Sequence, residues 1–200
     1  MADAAPSPPL LLASTSPQRK AILEQLRIPF DVVAPKYEET NPELADAVEV
    51  VRAHAREKAR SVADIAEHRP VLGVDTAVVL DGRIFGKPTD RRDAEQILSA
   101  LSGKRHEVLT AVALKYEGRL ETTLSASEVE FRELSPQEIR EYAASGECDD
   151  KAGAYGIQGR AATFVREIRR SHSGIVGLPL YETARLLAAL GPLHDRRNPD

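Results

Sequence analysis

The sequence predicts a mixed α/β domain in which hairpins and helical crossovers build one sheet. Three observations lead there. Short apolar runs alternate with segments whose apolar residues recur every three or four positions. Two dipeptides, Asp81-Gly82 and Glu117-Gly118, each sit between strand-like runs and suit two-residue hairpin turns. The chain of 200 residues has no internal repeat and no linker-like stretch, which fits a single domain with a sizeable core. The expected organisation is a flexible N-terminal segment over residues 1–9, a single domain over residues 10–192 and a polar tail over residues 193–200.

Leu10 to Ala13 reads as a first buried strand. Ser16 is a suitable N-cap and Pro17 a suitable first residue for a helix to Leu26, with Ile22, Leu23 and Leu26 inward. Phe30 to Ala34 reads as a second strand. A long helix is expected from about Pro42 to His68, because Leu44, Val48, Val51, Ala55, Val62 and Ile65 form one stripe. The first hairpin joins Val71–Leu80 to Arg83–Phe85. Asp90 to Leu101 reads as a helix with Ala94, Ile97, Leu98 and Leu101 on one face. The second hairpin joins residues 106–116 to 120–132. Ser135-Pro136-Gln137-Glu138 has the capping-box pattern and opens a helix ending near Gly146. A glycine-punctuated loop, a strand near Thr163 to Ile168 and a helix near Leu180 to Leu190 complete the domain.

Composition narrows the function classes. The chain is 42% hydrophobic and 29% charged with a net charge of −4, an ordinary globular balance. Mild acidity argues against a nucleic-acid partner, which would need a broad basic surface. Cys148 is the single cysteine, so neither an internal disulfide nor a multi-cysteine zinc site is expected. The five histidines show no close metal-ligand pairing. The N-terminus lacks the features of a secretory signal, and no apolar run approaches membrane-spanning length. A cytoplasmic location is therefore the default expectation.

Several residues carry chemistry. In LLLASTSPQRK, Arg19 and Lys20 fall in the first turn of a helix, the wrong end for cations. An anion bound there would resolve the misfit, as would plain solvation. Lys58 lies on the inward stripe of the long helix, so its ammonium either snorkels outward or meets an anion inside. Asp75 interrupts the apolar run VLGVDTAVVL. A buried carboxylate must be paired or bound to metal; the options are an ion pair with Lys58 or Lys87, a metal ligand, or a general base. Glu38-Glu39 offers a second carboxylate or a solvated loop. Hard oxygen ligands favour magnesium or manganese over zinc. GRIFGKP invites comparison with a P-loop but fails it, since one residue is missing between the glycines and Pro88 replaces the hydroxyl residue. Lys87 remains a phosphate-binding charge or a solvated lysine. The loop KAGAYGIQG brings backbone close to a ligand or closes a tight connection, and Gln158 offers both donor and acceptor to a base edge.

Together these segments resemble the Maf family of nucleoside triphosphate pyrophosphatases. The markers are ASTSPQR, the EET after the second strand, AREKA, GVDTAVVLDGRIFGKP, LSGKRHEVLTAVAL, YAASGECDDKAGAYGIQG and IVGLPL. They run in order from Leu10 to about Leu190. The resemblance implies a two-lobed fold similar to inosine triphosphatase, with an elongated mixed sheet, flanking helices and a central cleft. It implies cleavage of a nucleoside triphosphate to the monophosphate and pyrophosphate, assisted by a divalent cation, magnesium or manganese. It casts Asp75 as proton acceptor and metal ligand and Glu39 as second metal ligand. Ser14, Arg19, Lys58 and Lys87 take positions around the triphosphate. Substrate choice is expected at Gln18, Thr76 and Gln158. Thr76 and Gln158 match the branch acting on dTTP and UTP, whereas Gln18 stands where that branch has arginine. The alternatives are a pyrophosphatase for 7-methyl-GTP or another purine nucleotide, and a nucleotide-binding regulator of cell division and septum formation. The family often forms homodimers.

Overall fold

The computed structural model describes residues 9–39 and 46–190. The expected flexible start up to residue 8, the expected helix start at Pro42 with its inward Leu44, and the polar tail lie outside the described residues.

A seven-stranded mixed sheet organises the described chain, in the order β2-β1-β3-β5-β6-β7 with β4 paired to β3. The strands are β1 (Leu10–Ala13), β2 (Phe30–Val33), β3 (Val71–Leu80), β4 (Arg83–Phe85), β5 (Arg105–Tyr116), β6 (Arg119–Phe131) and β7 (Val165–Arg169). β1 runs parallel to β2 and β3, as strands joined by helical crossovers must. All other pairs are antiparallel. Both expected hairpins form. Asp81 and Gly82 take φ of 52° and 78°, and Glu117 and Gly118 take 46° and 77°, the left-handed pair that matches strand twist in a two-residue turn.

The helices are α1 (Pro17–Glu24), α2 (Ala47–Arg60), α3 (Arg91–Leu101), α4 (Pro136–Ala143), α5 (His172–Val176) and α6 (Leu180–Ala188). Ser16 caps α1, Asp46 caps α2, and the Ser135–Glu138 capping box opens α4. α2 ends eight residues before the expected His68. The Ser61 hydroxyl donates to the Lys58 carbonyl and accepts from the Lys36 amide, which holds the chain in a turn. Val62 and Ala66 stay buried, but Ile65 is 47% exposed rather than inward. α5 was not expected; it spans too few residues to show a period, and the Ser171 side chain caps it by accepting from Gly174 N–H.

The sheet's period of two sorts the core. Leu10, Leu12, Leu72 and Val74 face α1 and α6. Leu11, Ala13, Val71 and Ala77 face α2. A separate cluster centred on Leu98, Leu101, Phe131 and Tyr142 holds α3 and α4 on the far end of the sheet. These are the two lobes, and a cleft opens between them.

The seat of α2 on β3 matters most for the cleft. A Cβ on Gly73 would lie 2.1 Å from the Ala55 carbonyl oxygen and 2.7 Å from the Ala59 nitrogen. Backbone can give way at neither contact without moving the whole helix. Gly73→Ala is expected to lower stability by about 3 kcal/mol, read as a fall in the urea midpoint. An unchanged midpoint would mean that α2 slides freely.

Candidate functional site

β3 alternates its side chains, so Asp75 emerges on the α2 side of the sheet, two residues from Gly73. It is only 5% exposed. α2 answers with Val50, His54 and Lys58, spaced four apart on one face along the cleft. The Lys58 ammonium meets an anion inside: Nζ stands 2.6 Å from Asp75 Oδ1 and 2.6 Å from Glu39 Oε1. It also donates to the Val74 carbonyl at 3.3 Å. Glu39 reaches in from the loop after β2, with 40% of its side chain exposed. His54 Nδ1 lies 3.4 Å from the other Asp75 oxygen, Oδ2. Burial pushes the Asp75 carboxyl up, but the His54 contact, Lys58 and Arg19 outweigh it and hold the group below the usual carboxylate range. An ionised carboxylate is therefore stable inside this core.

Arg19 forms the opposite wall. Its Nε donates to the Gly177 carbonyl at 3.0 Å, Nη1 to Ser14 Oγ at 3.3 Å and Nη2 to Thr76 Oγ1 at 3.1 Å. The guanidinium thus clamps the ends of β1 and α5 to the middle of β3, with N–H donors to spare. Burial lowers its pKa, opposed by Asp75 and Glu39. The Thr110 hydroxyl lies 3.0 Å from Thr76 Oγ1 and donates to the Gly174 carbonyl at 2.8 Å. With its proton given to Gly174, Thr110 accepts across the Thr76 contact, so Thr76 accepts from Arg19 and donates onward. Beside Arg19, the Gln18 amide oxygen accepts from Ser16 Oγ at 3.1 Å.

The third wall belongs to the far lobe. The Gly153 amide donates to the Gly86 carbonyl at 3.0 Å. Gly153 has φ of 70°, and a Cβ there would lie 2.6 Å from Val78 Cγ2, so the glycine-punctuated loop presses directly on β3. Tyr155 packs rather than projecting: its ring meets Phe131 edge-on at 4.8 Å, and its hydroxyl lies 2.9 Å from His106 Nε2. Burial drives His106 down to about 4, against the pull of the Lys104 backbone, so this hydrogen bond under the loop uses a neutral imidazole. Lys87 and Gln158 stay exposed at the cleft wall.

One cleft of about 800 Å³ is lined by Ser14, Gln18, Arg19, Glu39, Lys58, Asp75, Thr76, Lys87 and Gln158, a volume that accommodates a nucleotide-sized ligand. Asp75 pairs with Lys58, not with Lys87. Glu39 lines the cleft and Glu38 does not. The sequence reading missed Thr110 and His54. Nothing local marks Thr110 within an apolar strand. His54 was legible, because it lies four residues before Lys58 on the same helix. The histidines show no close pairing along the chain, but the fold adds one of them to the two expected carboxylates: donor atoms of Glu39, His54 and Asp75 all lie within 4.8 Å of one another. Two carboxylates and an imidazole, with His54 and Asp75 buried and Glu39 open to solvent, form a donor set that suits a divalent cation.

Among the described residues, no helix is long and apolar enough to cross a membrane. The sequence profile described as Maf-like protein matches residues 9–190. The dTTP/UTP pyrophosphatase of Halalkalibacterium halodurans is 47% identical over 183 residues, covering 92% of this chain and 96% of that protein. The dTTP/UTP pyrophosphatase of Salmonella typhimurium is 48% identical over 190 residues, covering 94% and 96%. Among solved structures, the Staphylococcus aureus Ham1 protein aligns with a TM-score of 0.45 at 17% identity, covering 62% of this chain and 72% of that one.

Proposed function

The chain belongs to the Maf family, and from that premise we propose that it hydrolyses dTTP and UTP to the nucleoside monophosphate and pyrophosphate. The observation that carries this reading is Asp75. It is a buried carboxylate held ionised by His54, Lys58 and Arg19 and lies in one cleft with Arg19 and Lys87.

The residues divide the work by chemistry. Asp75 accepts the proton of the attacking water, so hydroxide character develops only next to the bound phosphate. Lys58 keeps Asp75 ionised and offers charge to the phosphates. Arg19, pre-set by Ser14, Thr76 and Gly177, spends no entropy on orientation when a phosphate oxygen arrives at its remaining donors. Lys87 neutralises charge from the far lobe. Gln158 presents donor and acceptor to the pyrimidine edge, while the Thr76 hydroxyl acts through Arg19. Glu39, Asp75 and His54 are the residues that would hold a divalent cation, magnesium or manganese, which when bound supplies phosphate polarisation and charge neutralisation. The same reading puts the protein in the cytoplasm, with nucleotide rather than nucleic acid as partner and a homodimer as the assembly to look for.

Gln18 is where substrate choice is decided next to Arg19. Pyrophosphate release is to be measured across dTTP, UTP, CTP, GTP and 7-methyl-GTP for the wild type and Gln18→Arg. The expected result is preference for dTTP and UTP. The variant should raise kcat/KM for them about tenfold, the value of one added charge-assisted hydrogen bond. Preference for 7-methyl-GTP would replace the pyrimidine reading. Nucleotide binding without turnover would make the protein a regulator instead.

A further inference from the structure

We propose that His54 is a third protein ligand of the divalent cation and biases the site toward manganese over magnesium. This rests on the reading above only in requiring that a cation binds here.

The placement of the imidazole supports the assignment. His54 is 4% exposed and rides on α2, whose close seat over Gly73 leaves it little freedom to shift. The Tyr37 ring meets the imidazole edge-on at 5.7 Å and 65°, which limits its rotation. Its Nδ1 stands 3.4 Å from Asp75 Oδ2. That is a long contact for N–H···O, although it still lowers the Asp75 pKa; ligation through Nδ1 requires the imidazole proton to sit on Nε2. The distance is close to the separation of roughly 3.0–3.5 Å between neighbouring ligands that each lie about 2.1 Å from one ion.

Asp75 has divided its oxygens. Oδ1 faces Lys58, and Oδ2 faces His54. A cation can therefore join Oδ2 and the imidazole while Lys58 keeps Oδ1. The two carboxylates are opposed by the Lys58 ammonium and, from the opposite wall, by Arg19, so further anionic ligands are not needed to offset the cation's charge. The imidazole adds a donor without adding charge. Magnesium prefers an all-oxygen octahedral shell and dehydrates reluctantly, whereas the divalent first-row transition metals gain from an added nitrogen donor, manganese least among them.

Pulsed electron paramagnetic resonance on the manganese-loaded full-length protein, with and without a non-hydrolysable dTTP analogue, tests the assignment. A nitrogen hyperfine coupling is expected that changes isotope when the protein carries labelled histidine. It should vanish in His54→Leu. By calorimetric titration, the manganese-to-magnesium affinity ratio should fall at least about tenfold in that variant, the lower range seen even for outer partners of metal ligands. A wild-type spectrum without histidine nitrogen coupling overturns the proposal, whether or not the variant folds. An unchanged affinity ratio in a folded variant overturns it as well and leaves His54 as a hydrogen-bonding partner that positions Asp75. Pyrophosphate release on the same samples separates the two readings. Turnover without histidine coupling sinks only the ligand assignment. Coupling without turnover sinks only the enzymatic one.

Discussion

Replacing Asp75 with asparagine should reduce kcat about a thousandfold while leaving the KM for dTTP within several-fold. Asparagine has nearly the same shape and fits the same position on β3 beside Ala111, its neighbour on β5. It cannot accept a proton from water and contributes no charge. The loss should therefore fall on the chemical step, because Arg19 and Lys87 keep their places. The fold should survive, since Lys58 retains Glu39 and the Val74 carbonyl as partners. The measurement is initial-rate pyrophosphate release with saturating divalent cation, with thermal unfolding as a control for structure. A variant that keeps wild-type kcat would remove Asp75 from the chemistry.

Lys58→Met should lower stability by about 3 kcal/mol at neutral pH. The methionine replaces the stem but leaves Asp75 and Glu39 facing each other without the ammonium between them. In the wild type, the folded-state pKa of Asp75 lies below its unfolded value. Its contribution is therefore present above the unfolded pKa and lost as pH falls through the folded one. Without Lys58, the burial that pushes this carboxyl up is opposed only by His54 and Arg19, so the folded-state pKa should move upward. The stability gap between wild type and variant should then narrow as pH falls and Asp75 of the variant takes up a proton before that of the wild type. Urea unfolding at several pH values reads this directly. The double variant Lys58→Met with Asp75→Asn should recover most of the loss, because the unpaired buried charge is gone. A gap that is flat with pH and unrelieved in the double variant would show that Lys58 contributes packing rather than charge.

The secondary structure was mostly legible because its determinants are local. Ser16-Pro17 and the Ser135–Glu138 box start helices through contacts three residues away, and the two Xaa-Gly turns close hairpins through their own dihedrals. Where a non-local contact intervenes, the local pattern misleads. The Ser61 hydroxyl, held by the Lys36 amide from a distant loop, stops α2 within an apolar pattern that continues through Val62 and Ala66. A cation at the start of α1 suggested an anion site. The structure uses Arg19 first as a clamp on Gly177, Ser14 and Thr76, and two of those three lie far along the chain.

The sequence by itself determined which side chains had a problem to solve: Asp75 in an apolar strand, Lys58 on an apolar helix face, and Arg19 at the positive end of a helix dipole. Each is a local mismatch between charge and surroundings, readable from neighbours alone. Which partners solve it was decided only by tertiary structure. The missing Cβ of Gly73 lets α2 settle onto β3, and that seat brings Lys58 and His54 to opposite oxygens of Asp75 while the loop after β2 delivers Glu39. The reason is that ion pairing and ligation act over a few ångströms in a low-dielectric interior. Only the packing of distant segments sets those few ångströms.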